Sequence, residues 1–189
     1  QVYREFGDNE FLSGDGFGRL LTENLCEFPL TSSICEEILY LVSGPDSNQL
    51  IPARLGVYVA NLLAGTSARN IAHYSQMVHS QLTASFDRGL QENLRWYGQS
   101  SPPVYNINNV YCDTYLYYSD YDWTATARDV EQFLIPSLPW TSVKSTRNLQ
   151  KFNHMDFLWG TRAREEIYDP IANIINADLI ASDQIYLKH

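Results

Sequence analysis

The stretch TYLYYSDYDW at residues 114–123 decides the fold class. Its first five residues are an alternating run rich in strand formers, which predicts a strand over Thr114–Tyr118, and the polar turn that follows contains Asp122. Helical spacing returns over residues 126–134, and a second alternating run covers residues 141–147. This order of strand, helix and strand predicts an α/β fold whose parallel strands are joined by a crossover helix.

On either side of this unit the pattern differs. Residues 100–103, SSPP, are the clearest signal for a loop between two parts of the chain. The sequence after them predicts extended chain over Val104–Val110. A last helix is expected to begin near Thr161 and to kink at Pro170. Before residues 100–103 the sequence pattern is helical, so we expect a mostly helical part over residues 1–103 and an α/β part over residues 104–189.

Four helix starts mark the first part. One helix is expected after Gly14–Gly18, where Leu20, Leu21 and Leu25 follow, and a second begins at the capping box that ends at Glu36. Pro52 begins a third helix that runs to about Leu63, and Thr66 or Ser67 can cap a fourth. These are several short helices rather than a regular bundle.

Two or three parallel strands cannot form a stable sheet alone, because the inner edge would present unpaired backbone groups. We therefore expect another segment to complete the sheet and the chain to begin inside something longer. The net charge of −9 argues against nucleic acid or an anionic membrane as a partner. No apolar run reaches the roughly 18 to 20 residues that a membrane span needs.

Asp122 and His154 are the residues that could carry chemistry. Each follows the carboxyl end of a predicted strand, and ligands of parallel sheets bind at that edge, so a βαβ unit would bring the two together. An Asp can fix the tautomer of a His that acts as general base. The alternatives remain open: Asp122 as a turn residue, Asp120 in its place, or His154 as a surface residue or part of a metal site with Asp156.

Other candidate residues allow two interpretations from spacing alone. Cys26 and Cys35 would close a small loop as a disulfide worth about 2.5 to 3 kcal/mol, or they are a pair of reduced thiols. Cys112 is expected to be a small core residue. The remaining histidines are interpreted as surface or packing residues: His73, His79 and His189.

Several segments of the sequence resemble those of a known protein family. FNHMDFLWG at residues 152–160 resembles the signature around the catalytic His of the gastric and lysosomal acid lipases. AGTSARN at residues 64–70, followed by HYSQ at residues 73–76, is similar to a segment of that family's cap. Phe86-Asp87, Tyr97-Gly98 and the Pro102-Pro103 pair resemble its run into the core, and Asp122 matches the Asp of its ND motif. The details look most like the insect branch.

The resemblance implies the C-terminal part of an α/β-hydrolase fold behind a helical cap, with a lid over roughly residues 14–43. It implies a Cys26–Cys35 disulfide, no cofactor, and a secreted or lysosomal location. It also implies hydrolysis of triacylglycerol or sterol esters, in which His154 is the base and Asp122 orients it. The partners would be the N-terminal half of the same lipase and a neutral lipid substrate.

The sequence differs from the family pattern at several positions. No Gly-x-Ser-x-Gly occurs in the chain, so the nucleophile is expected upstream and the chain alone is expected to be inactive. Ser119-Asp120-Tyr121 replaces the usual Gly-Gly-Asn, and Ser43 stands where relatives often have a free Cys. Two other classes stay open: an inactive lipase-like protein that binds or stores lipid, and an independent helical lipid carrier.

Overall fold

The computed structural model describes residues 10–11, 32–62 and 65–186 of the chain. The first expected helix after Gly14, Cys26 of the expected Cys26–Cys35 bridge, and His189 lie outside these residues. Within them the chain is mixed helix and strand, and one pair of strands is parallel. None of the helices in this part of the chain is both long and apolar enough to cross a membrane.

The first half of the described chain is mainly helical. Strand β1 (Glu10–Phe11) pairs antiparallel with β2 (Thr66–Ser67). The helices are α1 (Ser32–Ser43), α2 (Leu55–Leu62), α3 (Ala68–Ser80) and α4 (Leu90–Tyr97), and a 3₁₀ turn over Pro52–Arg54 leads into α2. The last three expected helices of this half are therefore present.

Local capping explains where α3 begins and ends. The Ser67 hydroxyl accepts a hydrogen bond from the Arg69 amide, which satisfies a donor that the first turn leaves unpaired. At the other end Gln81 adopts a left-handed conformation and its N–H donates to the carbonyl of Met77. Ser67 is one of the two cap residues that the sequence indicated.

The second half contains the parallel pair. Strand β3 (Thr114–Tyr118) pairs with β4 (Val143–Asn148), and the register places Tyr118 opposite Asn148. The connection between them is helical: α5 (Ala127–Asp129), a π-turn over Val130–Leu134, and α6 (Ile135–Ser137). After β4 come α7 (Asp156–Trp159), a second π-turn over Arg164–Tyr168, and α8 (Asp169–Tyr186). The predicted parallel sheet with a crossover helix is confirmed.

Both π-turns end just before a proline. Ile135 donates its N–H to the carbonyl of Val130 and precedes Pro136. Asp169 donates to Arg164 in the same way and precedes Pro170. Proline has no N–H and its ring clashes with the carbonyl four residues back, so a widened turn relieves the clash. The disturbance expected at Pro170 therefore lies in the turn before it.

A small core packs behind the loop that follows β4. The buried residues Leu149, Phe152, Ala163 and Ile167 form it, and Tyr117, Phe157 and Ile171 pack against it. Phe152 is completely buried, and burying such a side chain stabilises a fold by about 1.5 to 3 kcal/mol. This core fixes the backbone two residues before His154.

Two expectations were wrong. Residues 104–110 do not form a strand: Val104 makes one isolated bridge with Ala84, and Ile107–Asn109 is a 3₁₀ turn. Asn106 caps that turn, because its side chain accepts from the amide of Asn108 and favours a turn over a ladder. Cys112 is exposed rather than part of a core.

Candidate active site

The loops after β3 and β4 leave the same edge of the sheet and meet. Asp122 lies in the first and His154 in the second, and the imidazole Nδ1 is 2.9 Å from the carboxylate Oδ2. Asp122 is 5% exposed, whereas the side chain of His154 is 40% exposed. One end of the pair is therefore held inside the protein, and the other faces outward.

The Asp122 carboxylate is fixed by its own turn. Its Oδ1 accepts hydrogen bonds from the amides of Thr124 and Ala125, each at 2.8 Å. Its backbone N–H donates to the carbonyl of Ser119 at 3.2 Å. With Oδ1 committed to two amides, Oδ2 is left to accept from His154. An ionised carboxylate is an acceptor only, so the Nδ1 of His154 must carry the hydrogen.

This arrangement determines the state of the imidazole. The hydrogen bond that His154 donates to Asp122 raises the pKa of His154 above its ordinary 6.5, although burial opposes the shift. When neutral, the ring has its proton on Nδ1 and a lone pair on Nε2. Among the described residues Nε2 has no recorded hydrogen-bond partner, so it is available to accept a proton from another group.

Asp120, the other candidate carboxylate, lies elsewhere. It is exposed, and its Oδ2 accepts from the side-chain amide of Asn148 at 3.3 Å. It therefore ties the ends of β3 and β4 together. The remaining histidines of the described chain are also accounted for: the Nε2 of His73 contacts the carbonyl of Ala84, and His79 is exposed.

Ser119 joins the two loops at their base. Its hydroxyl accepts from the amide of Tyr121 at 3.1 Å and from that of Phe152 at 3.2 Å, and the residue is fully buried. One bond closes the turn that leads to Asp122, and the other holds the segment that leads to His154. The Ser119 hydroxyl thus connects the two loops, which the sequence could not show.

Asp156 holds the shape of the His154 loop. Its Oδ2 accepts from the amide of Asn153 at 2.7 Å, and the Asn153 Oδ1 in turn accepts from the amides of Met155 and Asp156. Asp156 is completely buried. It faces Asn153 and Gln49 while His154 faces Asp122, so the two residues do not form a shared ligand pair. No group of three or more candidate metal ligands occurs among the described residues.

Burial raises the pKa of Asp156 above its ordinary 3.8. Hydrogen bonds from the Ser47 side chain and the Asn153 backbone oppose this shift without cancelling it, and the buried Oε1 of Gln49 has no hydrogen-bond partner in the described structure. A proton on Asp156 would supply a donor to this cluster. The neutral carboxyl is thus the form that the folded protein favours, relative to the unfolded chain.

We expect Asp156→Asn to change how stability depends on pH. A raised folded pKa gives stability that is present below pH 3.8 and is lost as the pH rises through the folded value. Asn stays neutral at every pH. The stability of the variant relative to the wild type should therefore increase as the pH rises from 3.8 through the folded pKa of Asp156. Thermal unfolding of the full-length protein against pH measures this, with the exposed Asp178→Asn as control. A difference that stays constant with pH would contradict the assignment.

Comparison with known proteins finds relatives that are named lipases. No family model matches the sequence. The chain is 39% identical over 176 residues to Lipase lipl-1 of Caenorhabditis elegans, which covers 93% of this chain and 44% of that protein. It is 32% identical to the lysosomal acid lipase/cholesteryl ester hydrolase of Homo sapiens, over 90% of this chain and 42% of the relative.

The human gastric triacylglycerol lipase is 31% identical over 92% of this chain and 43% of its own length. The chain thus spans less than half the length of the curated relatives it matches. The chain is therefore a homologue of the acid lipases over at least 90% of its own length.

Proposed function

We propose that this chain forms part of a serine hydrolase that cleaves neutral lipid esters, with triacylglycerols or sterol esters as substrates. The observation that carries the proposal is the 2.9 Å contact between the Nδ1 of His154 and the Oδ2 of Asp122. In a homologue of proteins named lipases, this is the geometry that a Ser-His-Asp triad requires. The two carboxylic-ester classes are those that the names of the relatives contain.

The third member of the triad is a serine outside this chain. Its hydroxyl oxygen attacks the ester carbonyl carbon, and its proton passes to the Nε2 of His154. The imidazolium is stabilised by Asp122 and then donates that proton to the departing alcohol oxygen, which leaves an acyl-enzyme. Water attacks this intermediate by the same route, with His154 again accepting a proton, and releases the fatty acid.

The remainder of the polypeptide would also complete the sheet and supply the oxyanion hole. Support comes from the described strands, since three neighbouring residues of β4, Thr146, Arg147 and Asn148, are exposed. A buried parallel sheet does not leave a strand open in this way. We propose residues 1–103 as the cap and residues 104–189 as part of the core. A lysosomal or extracellular compartment suits the relatives' names.

The test is hydrolysis by the full-length protein. Purified protein should release fatty acid from emulsified triolein or cholesteryl oleate. Rates should rise across the pH range in which His154 loses its proton, because only the neutral imidazole can act as base. Binding of lipid without any release of fatty acid from either ester would support the alternative of an inactive lipid-binding protein.

A further inference from the structure

The carboxyl-terminal end of helix α1 lies against both loops of the site. The carbonyl of Ser43 accepts a hydrogen bond from the amide of His154 at 2.9 Å and another from the amide of Trp123 at 3.4 Å. The preceding carbonyl, of Val42, accepts from the hydroxyl of Thr124 at 2.9 Å. One helix end thus binds the backbone of His154 and the two residues that directly follow Asp122.

The next residue keeps this contact close. Gly44 has a φ of 120°, a conformation that residues with a side chain rarely adopt. A Cβ placed there would lie 1.9 Å from the carbonyl oxygen of Tyr121, the residue before Asp122. Ser43 itself is fully buried, and its hydroxyl donates to the carbonyl of Leu39. Burial and this hydrogen bond hold Ser43 in place.

We propose that the end of helix α1, formed by the carbonyls of Val42 and Ser43 together with Gly44, positions Asp122 and His154 relative to each other. The two side chains belong to loops that are separated by a strand and a helix in the sequence. A shared backbone acceptor sets the spacing of the loops more directly than the sheet can. The catalytic meaning of this role rests on the function proposed above.

Gly44→Ala tests the role with a large perturbation. The added methyl must push the Tyr121 carbonyl away and displace Asp122 from His154. A misplacement of about 1 Å costs roughly 100-fold in rate, so we expect kcat to fall by about that factor with KM little changed. The matched control is Gly98→Ala, which has a φ of 71° and open space around its Cβ. It also places a side chain at a positive φ, but nothing lies within 4 Å of the added Cβ, so kcat should stay at the wild-type value.

A second readout does not need activity. The hydrogen bond that His154 donates to Asp122 raises the pKa of His154, so NMR titration of the imidazole reports whether the two side chains stay in contact. In full-length Gly44→Ala the pKa of His154 should fall toward its ordinary value of 6.5, whereas in Gly98→Ala it should match the wild type. If the wild type hydrolyses no ester at all, the proposed function fails, but this titration still decides the positioning role.

Thr124→Val is the milder variant, in case Gly44→Ala does not fold. It removes one hydrogen bond between the Asp122 loop and Val42 and keeps the shape of the side chain. We expect kcat to fall about fivefold, the worth of one such bond, and Thr124→Ser to restore it. Thr114→Val, which loses a hydroxyl contact to Cys112 instead, is the control. Wild-type kcat and wild-type titration in both Gly44→Ala and Thr124→Val would overturn the proposal.

Discussion

Asp122→Asn in the full-length protein is expected to lower kcat by about 10⁴-fold while leaving the fold intact. The reason lies in the turn around Asp122. The amides of Thr124 and Ala125 both donate to Oδ1, so the oxygen of an Asn side chain must take that position. Its NH₂ group then faces the Nδ1 of His154. Because that group only donates, Nδ1 must become the acceptor and the proton moves to Nε2, where it blocks the base.

Titration of His154 provides the independent measurement. The carboxylate of Asp122 raises the pKa of His154, so its loss should lower that pKa. The stability that the charged pair contributes is complete below the unfolded pKa of His and disappears as the pH rises through the folded value. The variant should therefore lose stability mainly at acid pH. Asp120→Asn is the control, since Asp120 contacts Asn148 and not His154. Unchanged kcat in Asp122→Asn would remove Asp122 from the mechanism.

His154→Gln is expected to lower kcat by about four to six orders of magnitude, the loss seen when a triad loses its base. The Gln amide can replace the contact with Asp122, but it cannot accept a proton from a hydroxyl at any useful pH. The His154 side chain is 40% exposed, so the replacement should cost little packing. Fatty acid release from triolein measures the effect, and His79→Gln, on an exposed face, is the control. Retention of more than a tenth of wild-type kcat would contradict the role of His154.

Local signals predicted the frame of the site well. The alternating run at Thr114–Tyr118 is the strand with the same bounds, and the run at residues 141–147 corresponds to Val143–Asn148. Parallel pairing then follows from the helix between them, and the strand ends bring Asp122 and His154 to one edge. The sequence could nominate this pair because each lies within six residues of a strand end.

The contacts that hold the loops together were beyond local reasoning. The hydroxyl of Ser119 meets the amide of Phe152 across 33 positions, and the carbonyl of Ser43 meets His154 across more than a hundred. The sequence around Ser43 does not indicate a contact with His154. The fully buried Asp156 was seen only as a fragment of a metal site, because its real partners, Asn153 and Gln49, come from the loop's own fold and from a distant turn.

Errors arose where a turn competed with a strand. Residues 104–110 have strand-forming side chains, but Asn106 can bond its own backbone and begins a 3₁₀ turn instead. The sequence also placed one kink at Pro170, whereas both Pro136 and Pro170 follow widened turns. The backbone spreads the clash of a proline over the preceding turn, and a pattern of side chains does not show where that occurs.

The central claim is that His154, oriented by Asp122, activates a serine in the complete protein. The most direct measurement is the rate at which a fluorophosphonate probe labels the full-length protein, because the probe reacts only with an activated serine. The wild type should be labelled rapidly at one serine, and His154→Gln should be labelled at least 100-fold more slowly, while His79→Gln matches the wild type. Equal labelling of His154→Gln and the wild type, or no labelling of either, would contradict the account.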